Sequence, residues 1–247
     1  MITSSRLALS AAAALAAALL LAGCASSPGE QSPTSSGTPD DSGASTAPIS
    51  DDDLEAAWLD DGRMFAIVTW GSSTCVPVVE EASAEGQRVA VTLVDAPSAD
   101  GAEQACTSDL APRASIGALP EGVDPTKDVE FTVTLADFTD DVDLDGNAAL
   151  TGVPGQSTEF APSAGWFDDE GIVLLTWGSS SCPPIVEGVE EASGGATVTF
   201  TTEDRVCTMD MAPRATVLGV SETDDDADFT LTLVGDNLDG TVSVLRG

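Results

Sequence analysis

Apolar residues alternate with small or polar ones along much of the chain after residue 50. Arg88-Val-Ala-Val-Thr-Leu-Val-Asp95 and Ala196-Thr-Val-Thr-Phe-Thr-Thr-Glu203 carry the period of two, as do Val129-Glu-Phe-Thr-Val-Thr-Leu135 and Asp228-Phe-Thr-Leu-Thr-Leu-Val234. Each reads as a strand with one face on a core and the other on water. Phe65-Ala-Ile-Val-Thr-Trp70 and Ile172-Val-Leu-Leu-Thr-Trp177 are instead apolar on both faces, as a central strand is. Asp-Gly steps at Asp61-Gly62, Asp145-Gly146 and Asp239-Gly240 read as hairpin turns. No segment keeps a helical period except the first two dozen residues. About six short strands in each half predict an all-β fold, built as small antiparallel β-sandwich or open-barrel modules. The pattern does not choose between sandwich and barrel.

The pattern also repeats. Trp70-Gly-Ser-Ser-Thr-Cys75 returns as Trp177-Gly-Ser-Ser-Ser-Cys182, and Cys106-Thr-Ser-Asp-Leu-Ala-Pro-Arg-Ala114 as Cys207-Thr-Met-Asp-Met-Ala-Pro-Arg-Ala215. Phe131-Thr-Val-Thr-Leu135 returns as Phe229-Thr-Leu-Thr-Leu233, and Trp58-Leu-Asp-Asp-Gly62 as Trp166-Phe-Asp-Asp-Glu-Gly171. The order is kept while the offset drifts from 108 to 98 residues, the mark of a duplicated module with altered loops. Two copies fit a tandem better than a solenoid, which needs at least three stacked repeats. The expected organisation is a first module over 51–152, a connector over 153–163 and a second module over 164–247.

The N-terminal segment is of another kind. Arg6 is followed by an uncharged, Ala- and Leu-rich run that ends in Leu21-Ala22-Gly23-Cys24. A permanent membrane span needs about 20 apolar residues, so the run is marginal as one. Leu-Ala-Gly-Cys resembles the bacterial lipobox, at which signal peptidase II cuts before the cysteine once its thiol carries a diacylglycerol. The resemblance covers only residues 1–24. It implies a signal peptide over 1–23, lipidation (palmitate and its like) of Cys24, and residence on the outer face of the cell membrane. The Ala-, Asp- and Gly-rich, Lys-poor composition resembles that of a high-GC actinobacterium. Residues 25–50 hold Ser, Thr, Pro and Gly with almost no large apolar side chain, and read as a disordered tether after Cys24.

Lipidation changes the cysteine count. Five cysteines become four once Cys24 is taken, two in each copy. Of three possible connectivities, Cys75–Cys106 with Cys182–Cys207 is the one each copy could have formed before duplication. An oxidising compartment and small modules favour such bridges.

Charge excludes one class of partner. The chain holds 42 acidic and eight basic residues, a formal charge of −34. Nucleic acid and anionic lipid head groups are repelled by such a surface, so the lipid alone must provide the membrane hold. A monomer is expected.

Asp141-Val-Asp143-Leu-Asp145-Gly146 resembles the opening of a calcium loop, with ligands at alternate positions and Gly sixth. Position twelve, where a bidentate Glu belongs, is Gly152, so a turn is the better reading. The chain has no His and no Tyr, and Lys127 is its only lysine. The usual neutral-pH base is therefore absent, as is a His-assisted nucleophile. A Ser-Lys arrangement could use only Lys127, paired-carboxylate hydrolysis is the other catalytic route left, and no cofactor motif is present.

The repeated Trp70, Trp177, Arg113 and Arg214 are the remaining candidates. The tryptophans suit a core better than a stacking platform for sugars or peptides. Each arginine follows Asp-x-Ala-Pro, and a structural pair with Asp109 or Asp210 is expected ahead of anion binding. The sequence thus points to a lipid-anchored, non-catalytic binding module with an envelope protein or glycan as partner. Capture of a small molecule or calcium between the modules is the alternative.

Overall fold

The computed structural model describes residues 54–97, 104–221 and 228–247. The signal segment, Cys24 and the tether lie outside the described residues. So do the acidic runs Asp51–Asp53 and Asp224–Asp226.

Fourteen strands make up the described residues, seven per copy. The first copy holds β1 (Leu54–Leu59), β2 (Met64–Gly71), β3 (Pro77–Glu85), β4 (Arg88–Asp95), β5 (Ala111–Ala118), β6 (Val129–Leu135) and β7 (Phe138–Leu144). The second repeats them as β8 (Ser163–Asp168), β9 (Gly171–Gly178), β10 (Val186–Ala192), β11 (Gly195–Phe200), β12 (Ala212–Gly219), β13 (Thr230–Val234) and β14 (Gly240–Leu245). The all-β, duplicated architecture with one disulfide in each half is as the sequence predicts. The strand beyond the expected six is the Glu-rich β3 and its counterpart β10. A bulge between Val79 and Glu81, and another between Val186 and Gly188, breaks the alternation at the same place in both.

The sheets are mixed rather than purely antiparallel. In the first copy, β1-β2-β5 forms one sheet and β3-β4-β6-β7 another, with β4 and β6 running parallel. In the second copy, β11 and β13 are parallel in the same way. There, two parallel pairs, Val244↔Ala164 and Leu245↔Gly165, join β14 to β8. One seven-stranded sheet results, curled into a half-barrel. Sandwich and open barrel are both present, one in each copy.

Pro112 and Pro213 sit in β5 and β12, each the outer strand of its sheet, where a missing N–H breaks no ladder. The Asp61-Gly62 step does turn a hairpin. Asp60, Asp61 and Gly62 all take left-handed φ between β1 and β2. Asp239-Gly240 does not turn the β13–β14 hairpin: the left-handed turn residues are Gly235, Asp236 and Asn237, and Gly240 already starts β14 opposite Leu233. Asp145-Gly146 does not turn one, because β6 and β7 are joined by Ala136-Asp137, with Ala136 at φ 52°. Asp145-Gly146 is the exit of β7, and there Gly146 stacks against the Lys127 backbone.

Three cores hold the fold. Phe65, Ile67, Val89, Val91, Phe131 and their neighbours fill the first copy. Ile172, Leu174, Val198, Leu231 and theirs fill the second. The third lies between the copies. Met64, Ala66 and Val68 of β2, with Ala57 and Leu59 of β1, meet Val173 and Leu175 of β9 and Phe167 of β8. The two apolar faces of β2 and β9 are thereby explained. One face packs inside its own copy, and the other packs on the other copy.

Equivalent strands meet across this third core, β1 on β8 and β5 on β12. Like surfaces face like, which gives the copies an approximate two-fold relation. The approach is close at Gly165, where a methyl group would run into the Trp58 carbonyl. The Asp60 N–H donates to Ser163 Oγ (2.8 Å) and Asn147 Nδ2 donates to the Arg246 carbonyl (2.9 Å), tying the copies further. All described residues fall in one compact unit.

Candidate functional site

The repeated Trp-Gly-Ser-Ser phrase leaves the end of a central strand, and the repeated Cys-Thr-x-Asp phrase leads into the outer strand beside it. The disulfides Cys75–Cys106 and Cys182–Cys207 clamp the two phrases together, with Cα atoms 5.5 and 5.7 Å apart. Around each bridge the polar groups bond among themselves. Ser72 Oγ lies 2.8 Å from Thr107 Oγ1, and Ser179 Oγ lies 2.7 Å from Thr208 Oγ1. The Thr107 N–H donates to Thr74 Oγ1 (3.1 Å), as the Thr208 N–H does to Ser181 Oγ (3.0 Å).

Asp109 accepts from the Ser73 N–H (3.3 Å) and the Thr107 hydroxyl; Asp210 accepts from the Ser180 N–H (3.2 Å) and the Thr208 hydroxyl. Those donors favour the carboxylate. They hold both acids at about 2, below the ordinary aspartate value, with the threonine hydroxyl as the largest cause.

Arg113 and Arg214 do not pair with these acids. Acid and guanidinium hold the same loop by different groups, the aspartate a backbone N–H and the arginine the carbonyls on either side of it. Arg113 Nη1 donates to the Cys75 carbonyl (2.7 Å) and Nη2 to the Trp70 carbonyl (3.3 Å). Arg214 repeats the pattern on Cys182 and Trp177, at 3.0 Å each. The expected Asp109 and Asp210 partners are thus replaced by backbone carbonyls. Burial is the largest cause lowering the pKa of both arginines, although a guanidinium stays charged throughout. Each Nε–H is buried without a bond. Each arginine thus bridges the carbonyl of a disulfide cysteine and that of the tryptophan near the end of the neighbouring strand.

Gly71 and Gly178 make room for the clamp. A Cβ at Gly71 would sit 2.5 Å from the Arg113 guanidinium carbon, and one at Gly178 2.8 Å from Arg214 Nη1.

Trp70 and Trp177 are half-buried at the margin of the core between the copies. Phe167 stands edge-on to Trp70 at 6.3 Å, and Phe160 of the connector stands edge-on to Trp177 at 5.1 Å. Each ring thus has one aromatic neighbour, and Trp177 also lines a surface hollow.

The Asp141–Asp145 segment is extended. Asp141 and Asp143 sit in β7, opposite Thr132 and Glu130 of β6, so their side chains do not converge as loop ligands do. No group of three His, Cys, Asp or Glu among the described residues is arranged to hold a metal ion. Burial, with Asp168 adding repulsion, raises the pKa of Glu55. Neither residue lines the two hollows found near the loops. One hollow, of about 400 Å3, lies between Glu121–Val123 and Val153–Gln156. The other, of about 240 Å3, lies at the second disulfide loop, against Trp177, Arg205, Cys207, Arg214 and Asp236.

The repeats also differ in a way that attention to their identical positions hides. Val206 and Met209 are fully exposed, and Met211 is 59% exposed. The first copy has Ala105, Ser108 and Leu110 there. The signal was legible as the non-identical positions in the repeated phrase and just before it.

Compared with protein-family models, curated proteins and solved structures, the chain matches none. Among the described residues no helix is long and apolar enough to cross a membrane.

Proposed function

We propose that this chain is a lipoprotein held at the outer face of the cell membrane through Cys24, and that its folded part is a non-catalytic binding module. One observation carries the reading: four of five cysteines close two matched disulfides, and the fifth stands at the lipobox. Bridges of this kind persist in oxidising compartments, which agrees with export. One acyl chain binds a bilayer marginally while two or more anchor stably, so a diacylglyceryl Cys24 is a sufficient hold for an acidic chain.

The lack of His and Tyr argues against acid–base chemistry at neutral pH. The repeated loops also spend their hydroxyls, carboxylates and guanidinium groups on one another and on backbone. An envelope protein or a glycan is the partner class such a surface module serves. Capture of a small molecule or cation between the copies is the second reading. The apolar filling of that space favours the first.

Fractionating cells that express Cys24→Ser tests the anchor. The variant is expected in the medium and the parent in the membrane fraction. A variant that stays in the membrane fraction overturns the proposal.

A further inference from the structure

The two disulfide loops share one scaffold and differ in what they show to water. Hydroxyl contacts, carboxylate contacts, arginine clamp and bridge are the same in both. The scaffold therefore does not need Val206 or Met209, since the first copy builds it with Ala105 and Ser108. Yet Val206 is 102% and Met209 104% exposed in the second copy, whereas Met211 only matches Leu110 of the first copy, itself 73% exposed. Two methionines on one loop give a flexible, polarisable surface of the kind that accommodates apolar side chains of varied shape.

The surroundings choose the partner. Glu203, Asp204 and Asp210 lie within the same short segment, and its one cation, Arg205, is bonded to Glu203 (3.3 Å) and to the Pro183 carbonyl (3.1 Å). The 240 Å3 hollow, lined by Arg205 and Cys207 on either side of Val206, is bounded by Glu203 and Asp236. A second copy of this chain brings another formal charge of −34, and an anionic bilayer is repelled in the same way.

Resting on the binding-module reading above, we propose that Val206 and Met209 at this loop tip form a docking point for a basic amphipathic polypeptide segment. Its apolar side chains cover the loop tip, and its Lys or Arg side chains meet the surrounding carboxylates. Charge steers the encounter while the apolar contact gives the preference.

The test uses the full mature chain carrying Cys24→Ser, which needs no detergent, and two labelled 14-residue peptides. One alternates Lys with Leu, and the other alternates Lys with Ser. At physiological salt the Lys-Leu peptide is expected to bind at least tenfold tighter. Val206→Ala with Met209→Ser, which installs the residues of the first copy at unchanged charge, is expected to erase that preference without changing the melting temperature. Equal affinity for both peptides overturns the proposal, as does a preference that survives the double variant. Self-association that the double variant abolishes assigns the surface to a second copy instead. Binding to phosphatidylcholine vesicles that it abolishes assigns it to a bilayer. Failure of the anchor reading shows in cell fractionation and leaves this binding measurement untouched.

Discussion

The two copies close the same seam in different ways. In the second, β14 pairs with β8 through backbone bonds and the copy becomes one curled sheet. In the first, β7 lies along β1 without joining its sheet, and a side chain bridges the seam. Trp58, fully buried, donates its indole N–H to the Asp145 carbonyl at 2.7 Å. The equivalent Trp166 has no acceptor for its Nε1–H, and the Arg246 guanidinium lies over its ring at 4.8 Å. One set of apolar positions therefore supports either a sandwich or a half-barrel. The choice rests on a few edge contacts, while the cores are of the same kind.

The largest test of the comparison concerns the core the copies share. Leu175→Ala empties that core and Leu174→Ala empties the core of the second copy, from opposite faces of one strand. Each is expected to cost about 3 kcal/mol. At roughly 2–4 °C per kcal/mol for a chain of this size, the midpoint falls by about 10 °C. Calorimetry of Leu175→Ala should show one transition involving both copies. Two separated transitions would break the description of one compact unit.

A smaller test compares the seams. Trp58→Phe removes a buried hydrogen bond and leaves the Asp145 carbonyl without its donor, whereas Trp166→Phe removes an N–H that has no partner. Trp58→Phe is therefore expected to be the more destabilising by about 1 kcal/mol in urea unfolding. Equal costs would mean that the indole bond does not hold the first seam.

The smallest effect is in acid. Asp109 and Asp210 have folded pKa values of about 2, so their contribution is fully present above the ordinary aspartate value. It is lost as pH falls from just under 4 through about 2. Replacing both with Asn should flatten the fall of melting temperature over that window. Asp124, held at about 2 chiefly by Lys127, remains in the first copy and keeps part of the slope there. A double variant with the parent's full acid slope would show that the loop bonds do not hold these carboxylates.

Much of this fold was readable in the chain because period two, repeated phrases and paired cysteines are local signals. The half-exposed strands and both disulfides needed nothing more. Two-sided apolarity marked β2 and β9 as central, but what covered the second face was not local information. It depends on the other copy. The Glu-rich β3 and β10 escaped because bulges beside Glu80 and Glu187 interrupt the alternation. Arg113 and Arg214 were read as clamps with the wrong partners, since proximity in sequence favoured Asp109 and Asp210. The better clue was Gly71 and Gly178, whose missing side chains leave room for each guanidinium.

The like-on-like contact between the copies carries a history. A single copy with this face would have presented Ala57, Leu59, Ala66 and Val68 to water, and could have hidden them only against an identical neighbour. Joining two such neighbours in one chain fixes their encounter at an effective concentration on the order of millimolar. Their partnership then no longer depends on how much protein the cell makes. Freed from the need to remain identical, the two copies could diverge at their loop tips, where one has Ser108 and the other Met209.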